Sequence, residues 1–360
     1  MADTKNIFVD PRRRNLAIFA GVALVCALLA FLGLHKQAST VAPKYAQTEF
    51  LPGFAAHVRQ AARIHIVSKK NGAFDVAFKP SKGWVLPQKN DYPASFEEVN
   101  KTLVALAALE TIEPKTSRAD WLHYIGLDDP AHGGDGVTIT VSNDRGHTLA
   151  SIVIGKTADI GDANGATGLF VRNPNDPQSW LVRAEYTPHS DQADWLDKNI
   201  LDVDRARIQS TTADLPDGKT YEVRREKAAD ATFHLASIPA GREAGDSATA
   251  DGLATAITGL SFDDVKPAKV LDFANATKLV TKTFDGLAVT TDILHVGTEY
   301  WAQFGAMSMV NTPDIGKQAR IINARVNGWA YKLPDYKGAQ FLTPLESLLK
   351  PKGGKPAAAP

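Results

Sequence analysis

Residues 16–34, LAIFAGVALVCALLAFLGL, carry no charged side chain, and no other stretch of the chain matches them in length. Nineteen residues in helical conformation rise about 28 Å, close to the roughly 30 Å hydrocarbon core of a bilayer. Eleven of them are Leu, Ile, Val or Phe. On an insertion scale these favour the membrane by roughly 3 to 7 kcal/mol in sum. Arg12, Arg13 and Arg14 abut the run on one side only, which argues against a buried helix of a soluble core. With Lys5 they outnumber Lys36 and Lys44 on the far side, so the positive-inside rule places the N-terminus in the cytoplasm. The run is long for a secretory h-region, and His35-Lys36-Gln37 follows it without a small-x-small site. These features predict an uncleaved, single-pass signal anchor with the bulk of the chain outside the cytoplasm.

The exported part has size for two ordinary domains, roughly 290 residues once the anchor and tails are set aside. Charge is balanced at 40 basic and 40 acidic residues with no block of one sign, so nucleic acid is not an expected partner. The one cysteine, Cys26, lies inside the apolar run, which leaves no disulfide, cysteine-ligated zinc or cysteine nucleophile beyond it. Val, Ile, Thr, Phe and Trp in short alternating runs favour strands.

The chain then says the same thing twice, with a period of roughly 145 residues. In the first copy Arg63-Ile64 leads a strand, Asn71-Gly72 predicts a hairpin turn in which both residues accept positive φ, and Trp84-Val85-Leu86 gives a third strand. Ser95 and Glu98 form a capping box for a helix that carries Val99, Leu103, Leu106 and Leu109 on one face and ends at Ile112-Glu113-Pro114. A hairpin turning at Arg145-Gly146 and ending at Gly155 follows, and then GLFVR and SWLVR. In the second copy the matching landmarks are Arg207, Gly218, a helix over Asp251–Leu260, Pro267, Gly286 and Gly297, with EYWAQF and GWAYKL closing the set. The expected fold is α+β: an N-terminal transmembrane helix followed by two similar antiparallel-sheet-plus-helix units produced by internal duplication. The chain divides into a cytoplasmic tail (1–15), the transmembrane signal anchor (16–34), a linker (35–50), a first unit (51–190), a second unit (191–342), and a short apolar helix at Leu345–Leu349 with a disordered tail (343–360).

Candidate chemistry is thin. Gly155-Lys156-Thr157 resembles the end of a phosphate loop, but Ala150 stands where the loop requires glycine, so a strand ending in a turn is the preferred reading. Asp159, Asp162 and Asn164 between glycines offer clustered oxygens for calcium. No Glu falls where an EF-hand needs its bidentate ligand, so a polar turn is preferred and calcium stays the alternative. His132-Gly133-Gly134-Asp135 could set an imidazole beside a carboxylate, although its glycines favour a plain turn. No zinc spacing or nucleophile elbow occurs. Trp84, Trp121, Trp180, Trp195, Trp301 and Trp329 read as core, with a sugar- or peptide-binding platform as the alternative. No catalytic, cofactor-binding or metal-binding residue and no cofactor is therefore expected.

The order of these signals resembles bacterial membrane-anchored proteins that carry domain of unknown function 4340. The carrying residues are the basic N-terminus and span, Phe54–Ile64 (FAAHVRQAARI), Trp121–Pro130 (WLHYIGLDDP), Ile152–Gly155 (IVIG), Trp195–Ile208 (WLDKNILDVDRARI) and Trp329–Leu342. The resemblance implies a non-enzymatic accessory role beside an ABC-2-type permease and its ATPase, of the kind found with gliding-motility transporters. Two other readings stand beside it. One is a periplasmic module holding a sugar, peptide or lipid between the two units. The other is an unrecognised hydrolase, which would need convergent ionisable groups in one cleft.

Overall fold

The computed structural model describes residues 47–160, 167–184 and 186–352. The apolar run, the residues before it, most of the linker and the last eight residues lie outside them. Among the described residues no helix is long and apolar enough to cross a membrane.

Two large antiparallel sheets dominate the described residues. The first is built from β1 (Arg63–Ser68), β2 (Gly72–Lys79), β3 (Gly83–Leu86), β4 (Tyr92–Pro93), β5 (Glu110–Pro114), β6 (Val137–Ser142), β7 (Thr148–Asp159), β8 (Thr167–Arg172) and β9 (Ser179–Arg183). Their spatial order is β4-β3-β2-β1-β6-β7-β8-β9-β5. The second uses β10 (Ile208–Asp214), β11 (Thr220–Arg224), β12 (His234–Leu235), β14 (Asp264–Pro267), β15 (Thr277–Thr283), β16 (Leu287–Val296), β17 (Glu299–Ser308) and β18 (Trp329–Leu333), in the order β12-β11-β10-β15-β16-β17-β18-β14. Replace β1 by β10 and each later strand by its counterpart, and the second order is the first without its terminal β4. A small third sheet joins β13 (Arg242–Ala244) to β19 (Leu349–Pro351).

Strand alternation sets which face is buried. In β1, Ile64 and Ile66 turn inward while Arg63, His65 and Val67 do not. The helix α1 (Phe96–Ala107) starts at Ser95, whose hydroxyl accepts the Glu98 N–H at 3.2 Å, and buries Val99, Leu103 and Leu106 against that face. Each such side chain stabilises the core by roughly 1.5–3 kcal/mol. Its counterpart α2 (Ser247–Ala254) is capped by Asp246 and buries Ala250, Leu253 and Ala254. One continuous hydrophobic core runs through both units.

The units meet along the segment that joins them. Ser95 N–H donates to Trp195 O at 2.8 Å and Asp197 N–H to Pro93 O at 3.0 Å. Tyr92 sets its ring edge against Phe262, Trp329 and Tyr331, with centroids 5.8, 5.0 and 6.1 Å away. Its hydroxyl donates to Asp197 O at 3.0 Å. Lys89 of the first unit pairs with Asp264 of the second at 2.5 Å.

Several sequence expectations are corrected here. Ile112-Glu113-Pro114 and Val265-Lys266-Pro267 do not end helices; they lie in β5 and β14, which return to the far sheet edge and pair with β9 and β18. The second helix lies earlier than Asp251–Leu260, and Ile257 and Leu260 are buried from turns beyond its end. At Asn71-Gly72 only Gly72 has positive φ, 68°, while Asn71 N–H donates to the Ser68 hydroxyl, so a single glycine absorbs the turn. The pairing of Gly155 with Gly297 fails. Gly155 sits inside β7, which runs on to Asp159, whereas Gly297 (φ 62°) makes the β16–β17 turn. The helices α3 (Pro313–Val326) and α4 (Asp335–Phe341) were not expected. The last apolar helix is a 3-10 turn, Leu345–Leu348, and Leu349–Pro351 then pairs with β13 instead of opening the tail.

The insertion of α3 between β17 and β18 has a local cause. β18 pairs with β17 only at Tyr300–Ala302, so the rest of β17 would present a bare edge. The Asn323 carboxamide accepts from Ala306 N–H and donates to Ala306 O, both at 2.8 Å, and so stands in for a neighbouring strand.

Candidate functional site

A concave surface lies at one end of sheet one, where β1 starts, β2 ends and the β6–β7 turn folds over. Phe78 and Trp84 are directly opposed across β2 and β3, and their rings pack edge to face at 5.8 Å. The Phe78 N–H is held by Ala62 O at 2.7 Å, which fixes the aromatic pair beside the turn that precedes β1. Asn143 shapes the facing hairpin. Its side-chain oxygen accepts from the N–H groups of Arg145 (3.0 Å) and His147 (2.9 Å), and Gly146 completes the turn at φ 79°. The groove between has a volume of about 560 Å³, and Arg59, Phe78, Trp84, Asn143, Asp144 and Arg145 line it. Phe78 is 47% exposed. The surface thus combines an aromatic wall, the carboxamides of Gln60 and Asn143 and two guanidinium groups against one carboxylate. That set favours a ligand with a flat or apolar part and a carboxylate.

The matching end of sheet two is closed. Arg225, just after β11, corresponds to Phe78 near the end of β2, and its N–H is held by Gln209 O as that of Phe78 is by Ala62 O. Arg225 is 4% exposed. Its guanidinium donates to Ile208 O (2.8 Å), Ala228 O (3.2 Å), Asp230 O (3.0 Å), Arg205 O (2.9 Å) and Ala206 O (2.7 Å). It also packs on the rings of Phe233 and Phe284, 4.9 and 5.5 Å from their centroids. In the β15–β16 turn Asp285 replaces the Arg145 of unit one and pairs with Arg207 at 2.8 Å. Burial raises the Asp285 pKa, but the hydrogen bonds from Arg207 and the Thr283 hydroxyl outweigh it, and the carboxyl stays below the ordinary value. Arg207 also reaches Gln318 of α3 at 2.9 Å.

The residues singled out from sequence scatter. Asp159 ends β7 opposite Thr167, while Asp162 and Asn164 lie outside the described residues. Among the described residues no group of three or more His, Cys, Asp or Glu side chains is placed to hold a metal ion. Gly155-Lys156-Thr157 is mid-strand, and Lys156 Nζ donates to Tyr124 O at 3.0 Å. His132 pairs with Asp129 at 2.8 Å, and Asp135 instead meets Lys69 at 3.0 Å. Trp195 and Trp301 are core, Trp180 and Trp329 are partly buried against it, and Trp84 lines the groove. Trp121 stands alone on the far edge, 49% exposed beside Tyr124 at 68%, with the Arg118 guanidinium 4.8 Å above its ring. The cleft between the units is lined by Asn71, Lys89, Asp191, Gln192, Asp263 and Lys332 among others and has no tryptophan in its wall. Sequence reasoning missed Arg59, Phe78 and Arg145. Arg145 read as an ordinary turn residue beside Gly146, Phe78 as one more strand residue and Arg59 as part of a polar approach to β1, and only the missing plug exposes them. It also passed over His189, which lies 3.5 Å from Glu98 and 3.2 Å from Asp194 where α1 meets the joining segment.

Comparison with protein-family models matches residues 84–285 to DUF4340, a domain of unknown function. The matched span begins at Trp84 in the open groove and ends at Asp285 in the closed one. It takes in Trp121–Pro130, Ile152–Gly155 and Trp195–Ile208 but not Phe54–Ile64 or Trp329–Leu342. No curated protein and no solved structure matches the chain.

Proposed function

The chain belongs to the DUF4340 family, and from that premise we propose that it is a non-enzymatic, membrane-anchored extracytoplasmic subunit that binds a partner in an ABC-type transport or envelope complex. The observation that supports this reading is the open groove of sheet one, which displays Arg59, Arg145, Phe78 and Trp84 where the same position of sheet two is filled. Arginine and large aromatics are the side chains that most often anchor protein–protein contacts. The partner surface is an acidic segment carrying an aromatic or aliphatic residue. The matching strand orders further support descent of the two units from one duplicated ancestor. The apolar run and the basic residues before it support an N-terminus in the cytoplasm of a bacterial cell and a periplasmic body. The alternative reading is a periplasmic module for a sugar, peptide or lipid, which the aromatic wall of the same groove would serve.

The test is purification of the tagged full-length chain in mild detergent at native expression, beside an Arg59→Glu/Arg145→Glu variant. Stoichiometric recovery of a permease and its ATPase with the parent chain, and at least tenfold less with the variant, supports the proposal. Equal recovery with both overturns the groove as the contact. Recovery of the chain alone, in a wash that preserves a control complex, shifts the reading to a small ligand. A periplasm-dependent reporter fused after Ser39 checks the orientation separately.

A further inference from the structure

The outer edge of sheet one is β5, and the first described residues of the chain lie on it. Thr111 N–H donates to Thr48 O at 2.9 Å, and Glu49 bridges Glu110 in antiparallel sense. Three residues on from Thr111, Pro114 begins an apolar groove of about 440 Å³, walled also by Thr116, Trp121, Tyr124 and Ile125. At about 3.3 Å per strand residue, Thr48 and Pro114 stand roughly 10 Å apart along one margin. The Trp121 and Tyr124 rings are exposed, yet the loop that carries them is fixed. Leu122 and Leu127 pack on Val153. Buried Arg172 donates to Leu127 O at 3.0 Å. Gly155 leaves no room for a Cβ, since one built there would stand 2.3 Å from Ile125 O. Cations flank the rings: Arg118 lies over Trp121, Lys115 lines the groove, and Lys156 Nζ donates to Tyr124 O at 3.0 Å. Lys115 pairs with Glu113 and Arg118 with Asp120, but water reaches both pairs and weakens them.

We propose that this margin rests on the periplasmic leaflet of the inner membrane, with Trp121 and Tyr124 in the headgroup layer and Lys115, Arg118 and Lys156 beside anionic lipid phosphates. The inference rests on the reading that residues 16–34 cross that membrane. Residues 35–46 are then all the chain between the bilayer and Gln47, and the stretch from Leu34 to Gln47 spans at most about 47 Å. A compact body of about 300 residues is roughly 50 Å across, with half its girth near ~75 Å. A tether of that length cannot round it, so the side that carries Thr48 stays turned toward the bilayer, and the aromatic groove lies on that side. Trp and Tyr collect at the membrane–water boundary, and Lys and Arg keep their charged heads at the level of the phosphates. Because the loop is already fixed, docking costs it little freedom. The occupant is therefore a lipid surface.

The test uses the full chain, with Cys26→Ala as background, reconstituted in phosphatidylethanolamine–phosphatidylglycerol vesicles. Tyr124→Cys carries an environment-sensitive fluorophore. Ser81→Cys, in the turn between β2 and β3 at the other end of the sheet, carries the same probe as reference. Lipids spin-labelled near the headgroup should quench the probe at 124 roughly threefold or more over the probe at 81. Adding Trp121→Glu should bring the two positions level, while the chain stays with the vesicles through a carbonate wash. Arg118→Glu, which leaves the apolar groove intact, should lower the quenching at 124 about twofold. Retention with equal quenching at both positions, or quenching that neither variant changes, overturns the docking and leaves the anchor standing. Release of the chain by carbonate overturns the anchor and the docking with it. Disulfide bridging of unlabelled Tyr124→Cys between two chains, in place of quenching, also overturns the proposal and assigns the groove to a second copy.

Discussion

Phe78 at the end of β2 is half exposed beside Trp84, whereas Arg225, at the matching point after β11, is sealed under five backbone carbonyls and two phenyl rings. Both positions donate a backbone N–H to the start of the neighbouring strand, Phe78 to Ala62 O just before β1 and Arg225 to Gln209 O near the start of β10. The scaffold therefore does not decide whether this end of a sheet is open; three or four side chains do. In unit two an arginine whose every donor is used contributes stability. In unit one Arg59 and Arg145 project into the groove and are available to something else. A binding surface here costs the fold only the plug it omits.

Substitutions can break this contrast, and the largest effect is expected at the plug. Arg225→Leu removes the donors of several buried carbonyls and should lower unfolding free energy by about 3–4 kcal/mol in denaturant titration; a loss under 1 kcal/mol would mean water replaces the guanidinium and the closed end is not structural. Tyr92→Ala comes next, at about 3 kcal/mol. Because Tyr92 joins the rings of unit two to the sheet of unit one, it should also split one calorimetric transition into two. A single sharp transition in that variant would show that the joining segment alone couples the units. Phe78→Ala, at the open end, should cost under ~1 kcal/mol because the ring is already half solvated, yet weaken partner recovery. Equal losses for Phe78→Ala and Arg225→Leu would erase the distinction between the two ends. The smallest effect is expected from pH. The carboxyl of Asp285 is held below its ordinary value of 3.8, so it adds stability above that pH and loses it as pH falls through the lower folded value. Its side chain is 43% exposed, so solvent screens the pair with Arg207 and the contribution stays under ~1 kcal/mol. Asp285→Asn should remove that part of the acid dependence in melting curves taken between pH 5 and 2.

Much of the fold was legible because it is local. The Ser95–Glu98 cap, the alternation in β1 and the glycines at 72, 146, 218 and 286 each act within a few residues, and each occupies its expected element. What escaped depends on distant partners. Ile112 to Pro114 has no strand signal of its own and becomes β5 only because β9 offers an edge. In α3, Ala319, Ile322 and Val326 make a narrow apolar stripe on an otherwise polar helix, too weak to see without the β17 edge beneath. Gly155 was misread as a turn because a mid-strand glycine and a turn glycine look alike in sequence; the loop packed on it makes the difference. The groove was illegible for a related reason. Phe78 and Arg225 exchange the usual roles of apolar and charged side chains, and nothing near them in sequence announces it.

The Asn323 clasp on Ala306 has a consequence for crowding. With it, several described sheet margins are short or partly occupied: β4 and β12 have two residues each, β14 ends in proline, β5 carries Thr48–Phe50, and a carboxamide takes β17 at Ala306. At these margins neighbouring copies at high surface density meet little free ladder on which to zip together into filaments. Such blunted margins favour contacts with other proteins through loops and grooves over pairing edge to edge.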